Sequence, residues 1–154
     1  MKVTGREYPA HSDRSGVRSY AWIAAGALCV LVVTAAIEFW MGRLPLGPDG
    51  RFGFWEGNIW SSEQSQRFAD PYSFSHFIHG LLFYGFLWLV ARRMPVRQRF
   101  VAALMLEGAW EVLENSPLII NRYREVTIAL GYVGDSVFNS LSDIFFAGLG
   151  FLFA

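Results

Sequence analysis

Two histidines three residues apart, His76 and His79, are followed by Glu107, Glu111 and Glu114 at intervals of four and three. Asp135, Asn139 and Asp143 then come at intervals of four. Such intervals put side chains on one face of a helix, so each group reads as a single polar stripe. Imidazole and carboxylate side chains on facing helices are the donor types that hold a metal ion inside a bundle. They also serve as general acids and bases. On that chemistry His76, His79, Glu111 and Asp143 are candidate metal ligands. Glu107, Glu114 and Asn139 are candidates for the catalytic set, with Glu107 or Glu114 as base, and Arg122 and Arg124 are candidate grips for a substrate anion. The spacing is not the H-E-x-x-H pair of zinc proteases, so it names no particular ion.

The elements that carry these stripes are apolar. The 154 residues are 53% hydrophobic and 17% aromatic, mean hydropathy is +0.30, and the apolar residues come in blocks. A membrane span needs about 20 such residues, because about 30 Å of hydrocarbon is crossed at 1.5 Å per residue. The pattern predicts spans over residues 21–40, 73–91, 100–115 and 136–154. Asp70 and Pro71 open the second as cap and first-turn residue, and Pro117 stops the third. The first run is too long for the core of a signal peptide and reads as a retained helix. The expected fold is an all-α membrane protein: one domain, 1–154, a bundle of about four transmembrane helices behind a polar segment at 1–20. The last run is still apolar at Ala154, so it reads either as ending at the far interface or as a chain cut short.

Thirteen basic and thirteen acidic residues cancel, which gives no argument for nucleic acid. Their distribution says more. The N-terminal segment and the loop with Arg92, Arg93, Arg97 and Arg99 together hold eight Lys and Arg, whereas the loops 41–72 and 116–136 hold five, balanced by six acids. Positive charge stays on the cytoplasmic side, so the N-terminus and the Arg92 to Arg99 loop are expected there. Trp55 and Trp60 then suit the opposite headgroup layer. Every histidine and carboxylate of the stripes, and Glu38 at the end of the first span, falls in the outer half of the membrane.

A charge at mid-bilayer costs on the order of 3 kcal/mol even on the gentle insertion scale. Two carboxylates on successive turns, about 5.5 Å apart, repel by roughly 3 kcal/mol at an effective dielectric of 20. Either protons or a cation must therefore sit among Glu107, Glu111 and Glu114. The candidate cations are a metal, His76 or His79 in charged form, and Arg122 or Arg124 folding back. Plainer readings stand beside these. The histidines can be wet and interfacial, Glu114 and Asp135 can simply end helices, Arg122 and Arg124 can be interfacial anchors, and Cys29 needs no role beyond packing.

The stretches WSSEQSQ (60–66), DPYSFSHFIHG (70–80), EGAWEVLENSPLIINRYRE (107–125) and GYVGDSVFNSLSD (131–143) resemble a family of bacterial inner-membrane proteins of unknown function. The resemblance runs from about residue 40 onward. It implies a multi-pass protein of the bacterial cell inner membrane and supplies no activity; members of the family continue with further apolar sequence after the position of Ala154. Three functions compete. One is an enzyme, with a divalent metal as cofactor, acting at the outer face on a lipid or envelope precursor. Another is a proton- or cation-coupled transport component, against which stands the lack of polar residues in the inner half. The third is a non-catalytic subunit whose stripes bind a membrane partner or a second copy or glue the bundle together, although interhelical hydrogen bonds contribute only about 0.6 kcal/mol each on average.

Overall fold

A computed structural model describes residues 14–126 and 134–154, with side chains described for 20–122 and from Gly134 onward. Among the described residues the chain is all-helical, without a strand: α1 (Arg14–Trp40), α2 (Ser73–Val90), α3 (Val96–Glu114), α4 (Pro117–Val126) and α5 (Val137–Phe153). The expected N-terminal polar segment lies outside the described residues up to residue 13, as do residues 127–133.

Each expected span corresponds to a helix, and the local chemistry explains the boundaries. Asp70 starts α2 from upstream. Its Oδ1 accepts from the amides of Tyr72 (2.7 Å) and Ser73 (3.3 Å), while Ser73 Oγ accepts from the Asp70 amide (3.1 Å). This reciprocal arrangement satisfies amides that a helix start otherwise leaves orphaned. Burial pushes the Asp70 carboxyl above its ordinary range although three amides donate to it. Ser136 caps α5, its Oγ accepting from the Asn139 amide (3.2 Å).

The third boundary differs from expectation on one side. Pro117 ends α3 at Glu114, as expected, but it also opens α4 inside what was read as a plain loop. Proline is tolerated at the first helical position, where its missing N–H would have had no partner. Ser116 stands just before it, its carbonyl accepting from the Ile120 amide (3.1 Å).

Side-chain pairings give the helix directions. A Cβ on Gly26 of α1 would meet Val101 of α3, and one on Gly108 would meet Thr34, so α1 and α3 run together. His76 faces Asp143, and Tyr84 meets Phe151 edge-on (ring centroids 5.1 Å), so α2 and α5 run together. His76 meets Glu107 of α3 while Leu87 packs with Ala103, so this pair runs opposite to the first. One end gathers the arginines onto aromatic rings: Arg92 lies over Trp88 (4.6 Å), Arg97 over Tyr20 (4.6 Å) and Arg99 over Tyr84 (5.9 Å). The stripes of acids and histidines lie toward the other end.

That other end is roofed by the segment 41–72, which folds onto the start of α5. Phe68 donates to the Gly53 carbonyl and Ala69 to that of Phe54, doubling the segment on itself. Arg67 clamps it through Asp49 (2.7 Å) and Glu63 (2.9 Å), and the guanidinium holds the Asp49 carboxyl below the usual carboxylate range. Leu44 and Pro45 accept from the Val137 and Phe138 amides, and Ser65 accepts from that of Ser136.

Polarity is distributed the opposite way from that of a water-soluble domain. Glu38, Glu107, Glu111 and Asn115 are completely buried, while Trp22, Leu28, Leu82 and Phe86 are exposed on α1 and α2. The Tyr20–Trp40 part of α1 and all of α2 are long and apolar enough to cross a membrane; the apolar α5 is shorter.

The tightest approach is between α2 and α5, where Gly80 lies against Ala147 and Phe151, and Gly150 against Phe77. A Cβ on Gly80 would overlap the Ala147 carbonyl, and one on Gly150 that of Phe77. Small residues at such a crossing let two backbones touch. Gly80→Val is therefore expected to lower stability by about 3 kcal/mol or more, read as a large fall in thermal midpoint in detergent. Gly85→Ala, with open space around it, is expected to leave the midpoint within a degree or two; equal effects would mean that the α2 and α5 backbones do not meet at Gly80.

Candidate functional site

His76 is the hub of the buried cluster. It projects from the first turn of α2, and its Nδ1 lies 2.6 Å from Glu107 Oε1 and 3.2 Å from Glu111 Oε1, both on α3. On the opposite edge of the ring, Nε2 is 3.7 Å from Asp143 Oδ2 on α5. One helical turn further along α2, His79 Nδ1 is 3.2 Å from both oxygens of Glu107. Three helices thus converge on two imidazoles and three carboxylates, and His76, Glu107, Glu111 and Asp143 are all buried.

The polar atoms are incompletely matched. A single proton at His76 Nδ1 serves Glu107 at the shorter distance. Both oxygens of Glu111, and Oδ1 of Asp143, lie buried without a hydrogen-bond partner. Buried polar groups are nearly always satisfied, so these carboxylate oxygens around one imidazole call for a proton or a cation beside them. Among the described residues, two sets of donors lie close enough together to hold one ion: His76, His79 and Glu107, and His76, Glu111 and Glu114. In each, the ligand atoms fall within 4.8 Å of one another. The donors are imidazole nitrogen and carboxylate oxygen, which suit zinc, manganese or iron rather than a thiolate-seeking metal.

The expected site residues divide into groups. His76, His79, Glu107, Glu111 and Asp143 come together, and half-buried Glu114 joins them at the edge. Asn139 is buried but turned toward the roof, donating from Nδ2 to the Arg67 carbonyl (2.8 Å). Arg122 is exposed on α4, lining a shallow hollow with Leu118, Ile119 and Asn121; none of the acids or histidines lines it. The Arg124 side chain lies outside the described residues.

Sequence spacing missed a second polar layer behind the cluster. Asn115 donates from Nδ2 to Asp135 Oδ2 (3.0 Å), Ser140 Oγ (3.1 Å) and the Glu111 carbonyl (3.2 Å), and its Oδ1 accepts from the Asp135 amide (2.7 Å). It ties the end of α3 to the start of α5. Gly134, at φ +92°, brings the chain to this point, and Gln66 donates to its carbonyl (2.9 Å). In the sequence Asp135 reads as the start of a stripe, and the signal for Asn115 is its place directly before Ser116 and Pro117, at a helix end.

A helical protein with apolar outer faces and a buried His and carboxylate centre is the class that fold and site define. Residues 38–154 match the model of a family described as protein of unknown function (DUF2585). The chain belongs to that family. Its relatives include a UPF0314 protein of Sphingopyxis alaskensis, 52% identical over 143 residues, covering 90% of this chain and 73% of the relative. A UPF0314 protein of Rhizobium etli is 49% identical over 138 residues, covering 90% and 71%. One from Paracoccus denitrificans is 51% identical over 125 residues, covering 81% and 65%. No solved structure matches the chain.

Removing the Asn115 side chain strips donors from Asp135 and Ser140 and the acceptor from a buried amide. Unsatisfied buried groups cost about 1–3 kcal/mol each. Asn115→Ala is expected to destabilise by on the order of 3 kcal/mol, measured as a thermal shift in detergent, whereas exposed Asn121→Ala should stay within about 0.5 kcal/mol. A neutral Asn115→Ala would mean that the second layer does not hold α3 to α5.

Proposed function

We propose that this chain is a metal-dependent enzyme embedded in the inner membrane, acting at the outer face on a lipid or envelope precursor. The observation that carries the reading is the ring of buried, incompletely bonded carboxylates around His76. Burying such charges in a membrane is costly unless something positive neutralises them. A divalent ion satisfies several oxygen lone pairs at once.

In this reading α1, α2, α3 and α5 cross the bilayer as a bundle, with the N-terminus and the arginine-rich end in the cytoplasm. His76 Nδ1, His79 and Glu107 are the best-placed ligands, with Glu111 next to them. Asp143 faces Nε2 of His76 and orients the imidazole from behind, the usual arrangement for a metal-bound histidine. Glu114, half-buried at the edge, is the base that can reach both the site and its surroundings. A metal there would polarise a phosphoryl or acyl oxygen or activate water. Asn139 and Asn115 are positioning residues. Toward the cytoplasmic end the interior is an apolar plug of Leu87, Ala103 and Phe151 with Phe83 and Phe100 around it. That plug favours chemistry at one face over conduction across the membrane.

Metal content by mass spectrometry of protein purified in detergent without chelator is expected to be near one ion per chain and to vanish in His76→Ala/Glu107→Ala. Asp143→Asn is expected to weaken affinity about 10–100-fold. A parent protein free of metal would sink the enzyme reading and leave protons as the neutralising charge.

Topology is tested separately, in a Cys29→Ala background. A membrane-impermeant thiol reagent is expected to label Trp60→Cys from outside intact cells and Arg97→Cys only after permeabilisation. The reverse pattern would move the cluster to the cytoplasmic face.

A further inference from the structure

We infer that the cluster opens sideways, between α2 and α3, onto the apolar flank of the protein, and that the ligand entering there is a membrane phospholipid. The inference rests on the metal-site reading above and adds the route and class of the substrate.

The walls of the cluster are unequal. Toward α5 and α1 it is closed by buried side chains, among them Ile144 of α5 and Thr34 of α1, which both lie against Gly108. Toward the flank it is not. The His79 side chain keeps 28% of its surface, Glu114 is half-buried, and Trp110, whose ring meets His79 edge-on at 5.8 Å, is 44% exposed. Around this opening both helices present exposed apolar residues: Ile78 and Leu82 on α2, Leu106 and Leu113 on α3. A polar mouth in an apolar surface suits an amphiphile, with its polar group at the mouth and its chains along the rim. A wholly apolar partner helix would bury His79 and Glu114 against hydrocarbon, at the cost of an unpaired polar group.

The level of the mouth supports the same ligand. His79 lies six residues into α2, about 9 Å along the helix at 1.5 Å per residue. The headgroup layer is roughly 5–8 Å thick on each side. The mouth therefore meets the top of the hydrocarbon, where the phosphate and glycerol esters of a phospholipid are within reach. An anionic phosphate oxygen there would face a metal held by His76, His79 and Glu107, so the charges would be complementary.

The test uses whole protein reconstituted in vesicles of phosphatidylglycerol and phosphatidylcholine, re-extracted in mild detergent and weighed intact by native mass spectrometry, with metal measured on the same samples. One phospholipid per chain is expected to survive extraction. Leu113→Trp, which fills the rim without touching the proposed ligands, should lower that retention about tenfold, the effect of some 1.4 kcal/mol, with metal content unchanged. Leu106→Trp, two turns away on the same rim, replaces it where Leu113→Trp does not fold. Leu28→Trp on α1 should change nothing. Equal retention in the rim variants and in Leu28→Trp would overturn lateral entry, as would a second protein chain bound in place of the lipid. Rim-dependent lipid without metal would leave lateral entry standing and remove the metal reading; metal without lipid would do the reverse.

Discussion

The fold depends on the way one imidazole is shared. His76 sits where α2, α3 and α5 meet, with Glu107 and Glu111 against one edge of its ring and Asp143 near the other. In a buried setting the electrostatic stakes are high in both directions, because partnered charges hold tightly and a displaced one is uncompensated. That fixes the rotation of three helices at once: turning α2 by a single residue, about 100°, would carry His76 away from all three carboxylates. The glycine contact works in the same sense. Gly80 is one turn from His76 on the same face, so the approach that lets α2 and α5 backbones touch also brings His76 within reach of Asp143.

The segment 41–72 belongs to this arrangement rather than decorating it. Asn139 and Ser142, one and two turns into α5, donate to the carbonyls of Arg67 and Phe68. Irregular backbone packed against a helix bundle is tolerated only where protein satisfies its polar groups. Asp70 contributes twice, capping α2 through one oxygen and holding the Ser65 amide through the other (3.1 Å). Ser65 itself takes a positive φ of 58°, a conformation costly for a residue with a Cβ unless its surroundings demand it. The roof is thus tied to the two helices that carry His76 and Asp143.

Much of this was legible in the sequence, because periodic signals are read from spacing alone. The helices corresponding to the four expected spans and the cap at Asp70 followed from runs and punctuation. The convergence of His76, Glu107, Glu111 and Asp143 followed from stripes three and four residues apart. What stayed hidden has no period. Pro117 says stop to a reader of α3 and start to a reader of α4, and only the chain beyond it decides which. Asn115, Ser136 and Ser140 act through partners 20 or more residues distant or through a cap, and a lone polar residue near a helix end looks like any other. Gly80 and Gly150 are 70 residues apart, so neither predicts the other. The ranking of the glutamates also came from geometry: Glu107, read as a base, is the one within 2.6 Å of His76.

The choice between a proton and a metal as the neutralising charge turns on lone pairs. A carboxylate that takes a proton becomes a donor and can share that proton with one neighbouring acceptor. Around His76 the three carboxylates Glu107, Glu111 and Asp143 offer only acceptors when ionised, against the ring nitrogens of His76 and His79. One proton passed among them quiets one repulsion and leaves the remaining oxygens facing one another. A divalent ion demands oxygens and nitrogens and contributes no donor that must be placed. Bonds of about 2 Å fit inside either set of three donors, His76, His79 and Glu107 or His76, Glu111 and Glu114, whose ligand atoms lie within 4.8 Å of one another. The excess of acceptors over donors, in a pocket walled from the arginine-rich end by Leu87 and Phe151, is relieved in part by one shared proton and more fully by one divalent ion.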